Sequence, residues 1–144
     1  MGGETELNRI LNQQLFLYLL DMEVKRARRY QNFFCILTLK INRLSSGNSG
    51  TDFENCYQQL TKCVKEEFRE SDILGSVGEN SLVALLPYAD RSAGCRAKFH
   101  FESCLKYYDF KKEGYEVMVD KICFPGDGTD TSDLVKKLLG SEAR

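Results

Sequence analysis

The sequence of 144 residues has no tryptophan, one histidine, two prolines and a formal net charge of only −1. Each scarcity excludes something. So small a charge gives no basis for attraction to nucleic acid or to a membrane surface. No apolar run approaches the ~20 residues that a membrane-spanning helix needs, and no signal-peptide pattern opens the chain. A cytoplasmic protein without membrane insertion is therefore expected. The cysteines, Cys35, Cys56, Cys63, Cys95, Cys104 and Cys123, include no C-x-x-C pair, and the single histidine, His100, cannot complete a zinc set. They read as small buried hydrophobes of a reducing compartment, with no metal site among them. At this length one domain over residues 1–144, with a full core of its own, is expected.

What is present is a regular alternation of elements. Ile73, Leu74 and Val77 lead into Gly78-Glu79-Asn80, where glycine and asparagine tolerate positive φ, and Leu82 to Leu86 form an apolar run stopped by Pro87. This is strand, tight turn, strand, the second strand covered on both faces. Phe33 to Leu44 and Tyr115 to Phe124 predict two further strands. Between them run four helices. The first, over 7–30, has Leu7, Leu11, Leu15, Leu19 and Met22 as its apolar positions. It ends in Lys25, Arg26, Arg28 and Arg29, a charge that complements the helix dipole more simply than it makes a nucleic-acid patch. The second, Phe53 to about Arg69, carries Cys56, Tyr57, Leu60, Cys63, Val64 and Phe68 on one face.

A polar loop, Ser45 to Asp52, precedes that helix, with Asp52 as its N-cap. The third helix, Asp90 to Tyr107, turns Ala93, Ala97, Phe101, Cys104 and Leu105 inward. His100 reads as a partly buried histidine rather than a catalyst, since no nucleophile motif accompanies it. Tyr107, Tyr108 and Phe110 read as aromatics packed against the sheet. Thr131 or Ser132 caps the last helix, with Leu134, Val135, Leu138 and Leu139 on its apolar face. The order α-β-α-β-β-α-β-α suits an α/β sandwich with a mainly antiparallel central sheet flanked by helices.

The central hairpin resembles that of the GGDEF domain, the diguanylate cyclase module of bacterial signalling, with its R-x-G-G-D/E-E-F turn and its second strand ending in L-P. The aligned residues are Ser76-Val77-Gly78-Glu79-Asn80-Ser81-Leu82. Leu7 to Phe16 is similar to the family's opening at the leucines, Asn12 and Phe16. Phe124-Pro125-Gly126-Asp127-Gly128-Thr129-Asp130 is similar to its y-P-x-D-G turn. The resemblance implies the palm-like fold of nucleotide cyclases. It also implies where the chemistry should stand: the family's two metal-binding carboxylates fall at Lys40 and Asn80, an ammonium and a neutral amide. Mg²⁺ demands oxygen ligands and, in two-metal phosphoryl transfer, anionic ones. The resemblance thus implies a degenerate signature at Gly78, Glu79, Asn80, Ser81 and Leu82, no cyclase activity and no Mg²⁺ requirement. A register slipped by one would put Glu79 at the metal position, but it would move Ser81 onto the apolar slot that Leu82 fills.

The family's guanine-binding residues fall near Asn48 and either Asp52 or Glu54. Arg69-Glu70-Ser71-Asp72 matches the family's inhibitory R-x-x-D, which grips cyclic di-GMP, and a further arginine of that site falls at His100, with Arg96 one turn earlier. A guanidinium can fork onto phosphate or a guanine edge, and a carboxylate can accept from guanine N–H groups. A surface ion pair at a helix end is the simpler account of the same residues. The function implied is a non-catalytic signalling domain that binds cyclic di-GMP at Arg69 and Asp72 or contacts other signalling domains or proteins. The alternative is a divergent GTP-binding domain or residual cyclase using Glu79 and Glu54.

Overall fold

The apolar run that ends at Pro87 forms the middle strand of a five-stranded sheet. The structure, a computed structural model, describes residues 10–44 and 53–140. In chain order the elements are β1 (Ile10–Leu11), α1 (Gln13–Tyr30), β2 (Phe34–Arg43), α2 (Phe53–Glu67), β3 (Ile73–Val77), β4 (Ser81–Pro87), α3 (Arg91–Leu105), β5 (Tyr115–Phe124) and α4 (Thr131–Gly140). The sheet order is β1-β3-β4-β2-β5, and every pair is antiparallel except β1 with β3. Alternation along each strand divides the core in two. Phe34, Ile36, Val83 and Leu85 meet Phe16, Leu20 and Val24 of α1 and Leu134 and Leu138 of α4. Leu37, Leu39, Ile41, Leu82 and Ala84 meet Cys56, Leu60 and Val64 of α2 and Phe101 of α3. This is the expected mainly antiparallel sandwich flanked by helices.

Several expectations need correction. Cys95, expected to be a small buried hydrophobe, is exposed on α3. The first helix begins at Gln13 rather than at residue 7, because Ile10 and Leu11 pair with Leu74 and Gly75 as β1; Asn12 then caps α1, its Oδ1 accepting from Leu15 N–H at 2.9 Å. Its buried stripe is Phe16, Leu20, Glu23, Val24 and Ala27, whereas Leu15 and Met22 are exposed. Gly75 explains the phase: a Cβ there would lie 2.7 Å from Phe16 Cδ1, so the missing side chain makes room for that ring. At α4 the cap is neither Thr131 nor Ser132 but Asp130, whose Oδ1 accepts from Asp133 N–H at 2.8 Å. Thr131 instead donates to Asp21 of α1 at 2.7 Å. Finally, Phe110 is buried and Tyr108 packs edge-on against it, but Tyr107 stands in solvent at 92 % exposure. Asp52, the expected cap of α2, lies outside the described residues.

The turn after β5 is built on Asp127. Its carboxylate accepts from Cys123 N–H at 2.7 Å and lies 3.6 Å from the Arg91 guanidinium. The backbone bond from Cys123, then the charge of Arg91, hold the carboxyl below its ordinary range despite some burial. A depressed carboxylate stabilises the fold above its unfolded value and loses that contribution as pH falls through the folded one. The urea midpoint should therefore decline as pH drops below roughly 4, the ordinary carboxylate value, and decline less in Asp127→Asn.

Candidate functional site

Two clefts hold the residues of the hairpin turn and those of the R-x-x-D motif. At the first, Val77 pairs with Ser81, which leaves Gly78-Glu79-Asn80 as the turn, with Gly78 at φ 67°. Gly78 N–H donates to Gln13 Oε1 at 2.8 Å and so ties the turn to the start of α1. Asn80 joins the turn to β2 twice. Its carbonyl accepts from Ile41 N–H at 2.9 Å, and its Nδ2 donates to the Ile41 carbonyl at 2.9 Å. Lys40, one residue earlier, pairs with Ser81 on β4 and Met118 on β5. In this register Leu82 is buried among the apolar side chains beneath α2 and α3. Glu79 and Asn80 line a cavity of about 550 Å³ with Ile41, Arg43, Phe53 and Tyr115. The Tyr115 hydroxyl is buried without a hydrogen-bond partner among the described residues. Glu54 is exposed in the first turn of α2 and does not line this cavity; Asn48 lies outside the described residues. Among the described residues no three His, Cys, Asp or Glu side chains converge as a metal site would need.

The second cleft, of about 430 Å³, lies between the end of α2, the end of β4 and α3, and it brings together Arg69, Asp72, Arg96 and His100. That volume falls within the range of small-molecule sites. Two bonds close the R-x-x-D turn: Asp72 Oδ2 accepts from Arg69 N–H at 3.0 Å, and Asp72 N–H donates to the Arg69 carbonyl at 3.1 Å. Arg96 and His100 stand one turn apart on α3, both exposed, and Arg96 Nη1 donates to Ser92 Oγ at 3.1 Å. His100 is thus not the partly buried histidine expected from its aromatic neighbours. It faces the cleft wall while Phe101, next to it, enters the core and packs on Phe68, ring centroids 4.5 Å apart.

One lining residue escaped the sequence reading. Tyr88, directly after Pro87, sits at φ 62°, a left-handed conformation that few non-glycine residues adopt. Its hydroxyl accepts from Arg26 Nη1 at 2.7 Å, and the same guanidinium lies 5.4 Å from the ring centroid. Arg26 is held in turn by Glu23, at 2.8 Å. The basic end of α1 therefore props a tyrosine at the rim of the cleft. Only the L-P strand ending hinted at this position, and nothing local in the sequence marks the partner 62 residues away.

No protein-family model matches the chain, and no curated protein matches it by sequence. Solved structures do match. The chain is similar to a diguanylate cyclase protein from Thermotoga maritima, at 19 % identity and a TM-score of 0.76, over 96 % of this chain and 97 % of that one. It is similar to the GGDEF domain of YfiN from Pseudomonas aeruginosa at 15 % identity and 0.73, over 94 % and 92 %. It is also similar to the diguanylate cyclase SiaD of Pseudomonas aeruginosa, solved with its activator SiaC, at 18 % identity and 0.63, over 78 % of this chain and 45 % of that one.

Proposed function

We propose that this chain, which has the fold of GGDEF domains, is a non-catalytic signalling domain that receives cyclic di-GMP in the cleft formed by Arg69, Asp72, Arg96 and His100. The observation that carries the reading is convergence. Residues from the end of α2 and from one face of α3, separated by up to 31 positions, line one cleft of ligand size. Arg69 and Arg96 supply the donors that phosphodiester oxygens require, and Asp72, one of two carboxylates in the lining with Glu67, can accept from a guanine edge. Tyr88 adds an aromatic ring at the rim for base stacking.

The opposite cleft supports the absence of cyclase chemistry. The Asn80 amide donates to the Ile41 carbonyl and is thus held across the sheet, at a position where the resemblance implies a metal-binding carboxylate. Neither Asn80 nor Lys40 is an anion, and the residues present do not fit a Mg²⁺ ion. Among the described residues Glu79 is the one carboxylate lining the cavity, and Glu54 does not join it. The protein-contact version of the reading draws support from the structural neighbour SiaD, which was solved bound to its activator.

Titration calorimetry with cyclic di-GMP, and separately with GTP and Mg²⁺, tests the proposal. A cyclic di-GMP isotherm with no turnover of GTP is expected; turnover would favour a residual cyclase. Because His100 occupies the place of a further arginine, His100→Arg should tighten cyclic di-GMP binding by about three- to tenfold, the gain of one charge-assisted contact in a wet site. The change lies on an exposed helix position and should leave the thermal midpoint nearly unmoved.

A further inference from the structure

β5 is an edge strand of ten residues, and among the described residues no strand pairs with its outer side. Its backbone groups alternate between β2 and that free side. Ile41 N–H points to β4, where it meets the Asn80 carbonyl, and Leu44 N–H points to β5, where it meets Gly114. With Lys40 opposite Met118 and Asn42 opposite Glu116, the residues of β5 that bond inward are Glu116, Met118, Asp120, Ile122 and Phe124. Tyr115, Val117, Val119, Lys121 and Cys123 point outward.

Three of these five outward N–H groups are already capped. Tyr115 donates to the Phe110 carbonyl at 2.9 Å, Lys121 to Asp120 Oδ1 at 2.8 Å and Cys123 to Asp127 Oδ2 at 2.7 Å. The two ends of the edge are thus blocked, as exposed edges commonly are. Val117 and Val119 have no such cap among the described residues, and beside them runs a groove of about 600 Å³ that combines apolar Leu105, Tyr108 and Phe110 with charged Glu102, Lys106, Asp109 and Lys111. The edge is closed everywhere except next to this groove, whose apolar side chains include Leu105, Tyr108, Phe110 and the two valines.

We propose that the Val117–Val119 edge receives an extended segment of a partner protein, added antiparallel as a sixth strand, with basic residues opposite Glu116 and Asp120 and apolar residues entering the groove. The charge preference follows from pairing geometry. A strand bonded at Val117 and Val119 places its other residues in the close, non-hydrogen-bonded pairs opposite Glu116, Met118 and Asp120, all three exposed. A second copy of this chain is a poor occupant. The register that uses both free residues of both copies is centred on Met118, and it sets Glu116 against Asp120 in those close pairs, carboxylate facing carboxylate. Main-chain bonds then supply attachment and the alternating side chains supply specificity.

The test uses the whole chain and two capped nine-residue peptides, one alternating lysine with valine and one alternating glutamate with valine, followed by amide shifts. The lysine peptide should move the resonances of residues 115–120 saturably, and the glutamate peptide should not. Val119→Pro removes an outward N–H that the sheet does not use, so it should keep the fold and weaken the lysine peptide on the order of tenfold. Should that variant fail to fold, Glu116→Lys with Asp120→Lys, both at exposed positions, should reverse the preference between the peptides. Equal binding of the two peptides, shifts away from β5, or a dimer of the chain through this edge would each overturn the proposal.

Discussion

Arg69→Ala is expected to weaken cyclic di-GMP by on the order of a hundredfold, since a guanidinium forked onto phosphate or guanine makes two charge-assisted bonds of about 1.5 kcal/mol each, the low end of their range for an exposed site, and tenfold in affinity is about 1.4 kcal/mol. Arg69 is exposed just past the end of α2, and its backbone rather than its side chain closes the turn with Asp72. The alanine variant should therefore melt within a few degrees of the parent, and calorimetry then reports lost recognition rather than lost folding. Arg69→Lys should recover only part of the affinity, because an ammonium is a point charge without the planar fork. Asp72 is a less clean target: its carboxylate accepts from Arg69 N–H, so Asp72→Ala changes the turn along with the ligand contact. Undiminished binding by the Arg69→Ala protein would remove the R-x-x-D cleft as the nucleotide site and leave protein contact as the reading to pursue.

The second large effect lies in the core. Phe16 is fully buried in the layer between α1 and the sheet, and its ring fills the space above Gly75. Phe16→Ala should cost about 3–5 kcal/mol, a large share of the roughly 5–15 kcal/mol that stabilises a domain of this kind. Gly75→Ala drives a methyl to within 2.7 Å of the same ring and should cost about 1–3 kcal/mol through overpacking. Phe16→Ala removes two of the three close atoms, Cδ1 and Cγ, but leaves Cβ 2.8 Å from the added methyl, so the double variant should be destabilised by somewhat less than the sum of the singles. Urea unfolding of the four proteins measures this directly. Strict additivity would show that α1 is not seated on β3 through this contact.

Several elements were legible without a structure because their signals are local. Leu82 to Leu86 are apolar at every position, and only a strand covered on both faces accommodates that pattern; it is the central β4. Phe33 to Leu44 and Tyr115 to Phe124 are long, β-rich runs, and both became strands within a residue of their expected ends. In α2 the apolar positions define a single stripe, so periodicity selected Cys56, Leu60 and Val64 correctly. α1 offers two stripes. Leu11, Leu15, Leu19 and Met22 compete with Phe16, Leu20, Val24 and Ala27, and both sets have helical spacing. Nothing within the helix decides between them.

The candidate site divides in the same way. Arg69 and Asp72, and the expectation that Lys40 and Asn80 stand where the resemblance puts carboxylates, could be read in sequence, because each rests on a short motif at a fixed distance from the hairpin. What Asn80 does with its amide could not, since its partner, the Ile41 carbonyl, is reached across the sheet. The same holds for Tyr88, whose hydroxyl is bonded by an arginine from a helix 62 residues earlier in the chain. By itself the sequence determined the strands, the turn and the R-x-x-D pair, all of which depend on neighbours within a few residues. Only the tertiary structure decided the phase of α1, the joining of four distant residues into one cleft and the open stretch of the β5 edge. Those depend on which surfaces face each other once the chain is packed, through the space left by Gly75, the approach of α3 to the end of β4 and the caps on either side of Val117 and Val119.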